Sequence, residues 1–266
     1  MIPGQALRST ARPKTVIFGT SKGGVGKSTL ALLMALGLAT RHRDASVKLI
    51  DLDPQGTSSN SLQRFCDQRF SVIQGTTLRY DDGSPNNENI LKQIEKERLN
   101  NFKKRFVVLD GAAGHQPNNS AFLHHCDMML IPTSVSDADI YATRSYISGL
   151  HALFSARGNR QRAASPVLVI LPNLVDSREE FNELRHALSK EQAYLGKPLY
   201  YSPAFRRAFR EQRDDQNIRI IFNQTQPYTL WLTSLVTQSH RLDKKPEKLF
   251  QPVSYTHLTL PTKRIV

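Results

Sequence analysis

Residues 21–29 read SKGGVGKST, between the β-rich run TVIFGT (15–20) and the apolar run LALLMALGLA (30–39). Gly23, Gly24 and Gly26 let the backbone wrap with its N–H groups pointing inward, a nest for phosphate oxygens. A helix beginning at about Lys27 points the positive end of its dipole at the same anion. Lys27 is placed to reach β- and γ-phosphates, and the Ser28 hydroxyl to ligate Mg²⁺. The pattern G-x-x-x-x-G-K-[ST] is met at every position but the first, where Ser21 stands for glycine. Lys22 is a second lysine that the pattern does not require. A tight βα turn that happens to be glycine-rich is the simpler alternative. The strand before, the helix after and the paired Lys27 and Ser28 weigh against it.

That strand–loop–helix unit predicts the rest of the chain. Apolar strands are expected at 15–20, 47–53, 105–110, 128–134 and 166–173, with a weaker one at 70–74. Helices are expected at 28–41, 87–101, 137–154, 177–192 and 227–240, and 75–86 (GTTLRYDDGSPN) reads as a polar, turn-rich loop. Near-continuous apolar strands alternating with helices define an α/β protein, with a mostly parallel sheet covered on both faces. Neither an internal repeat nor a long Gly/Ser linker divides the chain. One domain over 14–242 is expected, with tails at 1–13 and 243–266. Within the second tail VSYTHLTLPT (253–262) matches what a transposon-type sequencing adapter encodes in one frame, and we expect it to be an assembly scar.

No apolar run reaches the roughly 18 residues of a membrane span, and the N-terminus lacks the apolar core of a secretory signal. A cytoplasmic location is expected. Cys66 and Cys126 form no C-x-x-C pair, so a zinc or iron–sulfur site within one chain is not expected, and both read as buried small apolar residues. The net charge of +13 favours an anionic partner, nucleic acid ahead of a membrane surface, with simple solubility as the alternative.

Two further stretches carry carboxylates to strand ends. DLDPQG (51–56) places Asp51 and Asp53 at the carboxyl edge of the sheet, where open α/β folds bind ligands. An acid there can hold a metal-bound water or orient an attacking one. A helix cap with a turn around Pro54 and Gly56 explains the same residues equally well. RFVVLDGAAG (105–114) ends four apolar residues in Asp110, as a Walker B aspartate does, although many strands end in Asp.

Taken together, SKGGVGKST, DLDPQG and VVLDGAAG resemble the ParA/MinD family of deviant Walker A ATPases, and DLDPQG points to its ParA side, the plasmid and chromosome partition ATPases. The resemblance runs through MMLIPTS and LPNLVDSR to roughly Leu242. It implies a SIMIBI-type P-loop NTPase fold, with ATP and Mg²⁺ as cofactors and a homodimer formed on ATP binding. Lys22 matches the signature lysine that crosses a nucleotide-sandwich dimer to the partner's phosphates. Lys27 matches the ordinary phosphate lysine, within a cradle of Gly23, Gly24, Val25, Gly26, Lys27, Ser28 and Thr29. Asp53 matches the acid that positions the attacking water. Ser28, Asp51 and Asp110 belong to the Mg²⁺ network, and Asn173 matches a position that contacts adenine. The family often carries one or two prolines after the Walker B acid; Ala112 and Ala113 stand here instead, which leaves the stiffness of this segment open.

SPAFRRAFREQR (202–213) puts Arg206, Arg210 and Arg213 on one helical face, with Arg207 beside them. Family members bind DNA without sequence preference through basic residues of their C-terminal half. This segment is the candidate here, with Arg185 and Lys190 as secondary ones and a solvated helix face as the alternative. Such arginines contact phosphate rather than bases. The reading is a slow, partner-stimulated ATP hydrolase. It coats the nucleoid and drives DNA partition together with a centromere-binding, ParB-like protein. The alternatives are a MinD-like membrane switch, which needs an amphipathic C-terminal helix, a metabolic or redox relative of the fold, and an ATP-binding accessory factor of conjugative transfer.

Overall fold

The computed structural model describes residues 12–63, 70–82, 84–114, 117–156, 165–202, 205 and 215–238. Five long or medium strands form the frame: β1 (Lys14–Phe18), β2 (Ala45–Asp51), β4 (Lys104–Asp110), β5 (Met128–Thr133) and β6 (Val167–Val175), with β3 (Phe70–Gln74) at one edge. Two short strands, β7 (Tyr194–Leu195) and β8 (Leu199–Tyr200), both pair with β6. The order is β3-β2-β4-β1-β5-β6-β7, and every named pair is parallel.

Alternation along each strand divides the core into two layers. Val16, Phe18, Val47, Leu49 and Val108 face α1 (Lys27–Arg41), α2 (Thr57–Leu62) and α7 (Gln226–Thr237). Ile17, Ile50, Val107 and Leu109 face α3 (Asn87–Lys96), α4 (Asp137–Ala156) and α5 (Arg178–Ala187). Every residue of α1 from Leu30 to Ala39 is buried. A helix apolar on all sides must be enclosed, and α1 is, by the sheet on one side and α7 on the other. α6 (Asp215–Gln224) precedes α7.

The expected α/β class and parallel sheet are present, with differences at element ends. β2 stops at Asp51 rather than Asp53 because the Asp51 carboxylate accepts the N–H groups of Asp53 (3.0 Å) and Ser59 (2.9 Å), turning the chain out of the ladder. α5 ends at Ala187, short of 192, and the chain returns to the sheet at β7. α2, α6, β7 and β8 have no counterpart in the sequence reading. α2 is serine-rich without apolar periodicity, and β7 and β8 are two residues each, too short to show a pattern. Cys126 is buried and free, as expected; Cys66, the arginines at 206, 207, 210 and 213, and the 253–262 segment lie outside the described residues.

In α7, Trp231, Leu232, Leu235 and Val236 are all buried on the α1 layer. Arg41 of α1 reinforces the contact by donating to the carbonyl of Leu230 at 3.1 Å. No helix among the described residues is long and apolar enough to cross a membrane.

Candidate functional site

The carboxyl ends of β1, β2 and β4 lie side by side, with Phe18 paired to Asp110 and Asp110 to Asp51. The glycine loop leaves β1 there and enters α1 at Lys27. Gly26 precedes the helix at φ 88°, a left-handed conformation suited to glycine. A Cβ at Gly26 would stand 2.2 Å from the Asn173 amide nitrogen. α1 therefore has no side-chain cap, and no acidic residue lies in its first turn. Its first N–H groups and its positive end are directed into the loop.

The two lysines are arranged differently. Lys27 is buried, and its ammonium donates to the Lys22 carbonyl at 2.8 Å, across the loop. Burial lowers its pKa, while the charges of Asp110 and Asp53 oppose that shift. Lys22 points away, and its ammonium pairs at 3.0 Å with Asp139 in the first turn of α4. Burial works against charge on Asp139. The Ser134 hydroxyl, Lys22 and the Ser136 hydroxyl outweigh that cost and hold its carboxyl below the ordinary range.

One face of α4 follows the start of the loop. Asp139 holds Lys22, the Ala142 carbonyl accepts from the Ser21 hydroxyl at 3.4 Å, and the Tyr146 hydroxyl lies where a Cβ on Gly19 would come within 2.5 Å. Positions 139, 142 and 146 share a helical stripe. Ser21, the departure from the standard pattern, thus serves as an anchor to α4. The sequence does not single out Asp139 as a site residue, because its pairing with Lys22 joins distant positions of the chain.

The three strand-end acids have separate tasks. Asp51 has both oxygens engaged by backbone N–H groups and shapes the 51–59 turn. Asp53 accepts from Gln55 N–H at 3.0 Å and from Ala113 N–H at 3.4 Å, linking the turn after β2 to the turn after β4. Asp110 is fully buried, and neither of its oxygens has a partner in hydrogen-bonding geometry. Its pKa is pushed up to about 7 by burial and by the Asp51 charge, with the nearby Ser58 and Ser28 hydroxyls and Lys27 opposing. An orphaned carboxylate beside a serine hydroxyl at the first turn of α1 supplies oxygen donors of the kind a Mg²⁺ ion takes from a protein, the rest of its shell coming from water and phosphates, so the residues present fit that ion.

Asn173 approaches from β6. Its amide donates to the Val25 carbonyl at 2.8 Å and is buried, bracing the glycine loop from below. Leu174 behind it has φ 57°, and the pairing of β6 with β8 shifts register between Asn173 and Val175. A bulge of this kind redirects a side chain, here toward Val25. The expectation for Asn173 was an adenine contact; the contact seen is to the loop backbone.

A parallel sheet whose first strand feeds a glycine loop and a helix, with acids on the flanking strand ends, defines a P-loop nucleotide-binding protein. Residues 16–214 match the family model described as the CobQ/CobB/MinD/ParA nucleotide binding domain, and the chain belongs to that family. The expected family resemblance and fold are thereby met, and its members of the ParA/MinD type are ATPases. The chain is 29% identical over 137 residues to the maintenance of carboxysome distribution protein A of Gloeobacter kilaueensis, covering 50% of this chain and 54% of that one. It thus spans about half the length of that curated relative. Among solved structures, the MinC:MinD cell division complex of Aquifex aeolicus superposes with a TM-score of 0.61 at 14% identity, covering 94% and 98% of the two chains. The pNOB8 ParA bound to nonspecific DNA gives 0.57 at 15% identity over 86% and 98%. At these identities the likeness is one of fold.

Proposed function

We propose that this protein is an ATP-dependent dimerising ATPase that binds DNA without sequence preference and drives the partition of a plasmid or chromosome. The observation that carries the reading is the division between the two loop lysines. Lys27 turns inward over the phosphate cradle, whereas Lys22 lies outside it with a half-exposed ammonium on Asp139. Lys22 therefore does not serve its own cradle in this state, which supports the reading that it leaves Asp139 to serve the cradle of a second copy. Ser28 and Asp110 would hold a Mg²⁺ ion bound with ATP, with Asp51 in the same network; Lys22 would reach the partner's phosphates in the closed dimer, and Asp53 would orient the attacking water. The metal supplies charge neutralisation between the phosphates when bound. Asp51 acts in this network by shaping the loop that carries Asp53. Asn173 would meet adenine through its amide oxygen or second N–H while its bond to Val25 braces the loop. The arginines at 206, 207, 210 and 213 contact DNA phosphates, and a centromere-binding partner stimulates slow turnover on the nucleoid.

Similarity to a carboxysome distribution protein supports a second cargo class, a cellular body carried by the same cycle. The test is a pair of variants followed by light scattering and phosphate release. Lys22→Ala keeps nucleotide binding and loses ATP-dependent dimerisation; a normal dimer from this variant rejects the role across the interface. Asp53→Ala accumulates the ATP-bound dimer; wild-type turnover rejects its assignment.

A further inference from the structure

We infer that Arg79 is a positioning residue for Asp53, an inference that rests on the proposed ATP hydrolysis at this site. The peptide unit between Leu52 and Asp53 is gripped at both polar ends. Its N–H, on Asp53, donates to the Asp51 carboxylate at 3.0 Å. Its carbonyl, on Leu52, accepts from the guanidinium of Arg79. Fixing both ends of one peptide plane sets the two backbone torsions beside it. Those torsions determine where the Asp53 side chain starts. The neighbouring unit is also held, since Leu52 N–H donates to the Asp110 carbonyl at 2.8 Å.

Arg79 is itself held by backbone pairing with the segment after it. Within 75–86, expected to be a polar, turn-rich loop, Gly75–Leu78 forms a short 3-10 turn and the flanks of the following turn pair with each other. Arg79 and Pro85 form an antiparallel bridge, Tyr80 N–H donates to Ser84 carbonyl at 2.9 Å, and Asn86 N–H to Leu78 carbonyl at 2.8 Å. The paired segment leads directly into α3, whose first turn is capped by Asn86. Leu52, Arg79, Pro85 and Ala112 together enclose a small apolar cavity. Arg79 thus lies behind both turns that Asp53 links through Ala113 N–H. Its guanidinium acts on the backbone of the turn that carries Asp53, and so affects the step in which Asp53 acts more than nucleotide capture.

The test uses the full chain with Arg79→Met, which keeps the apolar stem and removes the donors, and Arg79→Lys, which restores one. The expected result is a fall in kcat for ATP of about tenfold for Arg79→Met, with partial recovery in Arg79→Lys. The dissociation constant for a fluorescent ATP analogue stays within about twofold of wild type on the same grounds. Hydrogen exchange supplies a readout that needs no turnover: the 52–56 amides exchange about tenfold faster in Arg79→Met, with β5 unchanged, as expected for loss of a local restraint. An unchanged kcat with unchanged exchange overturns the inference. So does a parallel loss of nucleotide binding and melting temperature, which marks a general structural role. If the wild-type protein does not hydrolyse ATP, the functional proposal fails by itself, and the exchange result still decides whether Arg79 holds this turn.

Discussion

A carboxylate buried without a hydrogen-bond partner costs free energy until a cation or a proton meets it, and Asp110 has both oxygens in that condition. In metal-free protein the proton fills the role, with the pKa raised from 3.8 to about 7. The folded state then holds a proton that the unfolded chain has released, so stability falls as pH rises from about 4 to about 7 and levels off above. Asp110→Asn lacks this contribution. In EDTA and without nucleotide, the stability of the variant relative to wild type should increase by up to about 1.4 kcal/mol per pH unit across that window. Denaturant melts at pH 5, 6, 7 and 8 measure it; parallel pH curves for the two proteins remove Asp110 as the titrating group. The same proton competes with Mg²⁺, so metal-dependent stabilisation by ATP should strengthen through about pH 7 in wild type and be lost in the variant. Asp110 was legible in the sequence because four apolar residues ending in an acid is a strand-end pattern. The contact of Asn173 with Val25 was not. It joins positions 148 apart and depends on a bulge at Leu174, which no periodicity announces.

Among the elements, α4 and the glycine loop form one unit through Gly19, Ser21 and Lys22. The Lys22–Asp139 pair is partly exposed, with side-chain exposures of 43% and 14%, and is worth about 0.2–1 kcal/mol once solvent screening is counted. It is a weak restraint, suited to being exchanged for stronger charges. Removing it should favour the dimer. Asp139→Asn should tighten ATP-dependent dimerisation by roughly 1.4- to fivefold per protomer, the range that this pair energy allows, with monomer nucleotide affinity unchanged. Sedimentation at graded protein concentrations checks this; weaker dimerisation would mean that Asp139 contributes to the closed interface itself. Strand and helix identity along the chain was largely readable, because β1, β2, β4, β5 and β6 are apolar runs and α3 and α5 carry amphipathic spacing. Short elements were not. α2 exists because Asp51 and Gly56 turn the chain, a tertiary cause that leaves no apolar pattern behind.

For the whole molecule, the remaining question is what the charge of +13 meets. α7 directs its aromatic and aliphatic residues into the α1 layer, so it cannot also present them to a lipid surface without unfolding that layer. On the proposed function, the cationic excess meets a polyanion, duplex DNA. Phosphate contacts release condensed counterions, and each one contributes about −0.9 to the slope of log K against log salt for duplex DNA. An ATP-closed dimer doubles the contacts of one protomer. Binding to random-sequence duplex should consequently appear only with ATP and fall by about a thousandfold or more between 50 and 200 mM salt, if six or more phosphates are engaged. Replacing Arg206, Arg207, Arg210 and Arg213 by alanine should flatten the slope by roughly three to four units per protomer, with no change in base preference. Fluorescence anisotropy across a salt series, for wild type, the arginine variant and Lys22→Ala, separates the contributions. Lys22→Ala should bind as the nucleotide-free protein does, because it lacks the dimer and not the arginines. An arginine variant with the wild-type slope assigns the DNA contacts elsewhere. ATP-independent binding with a steep slope instead makes the charge a property of the monomer, and breaks the link between nucleotide state and DNA on which partition depends.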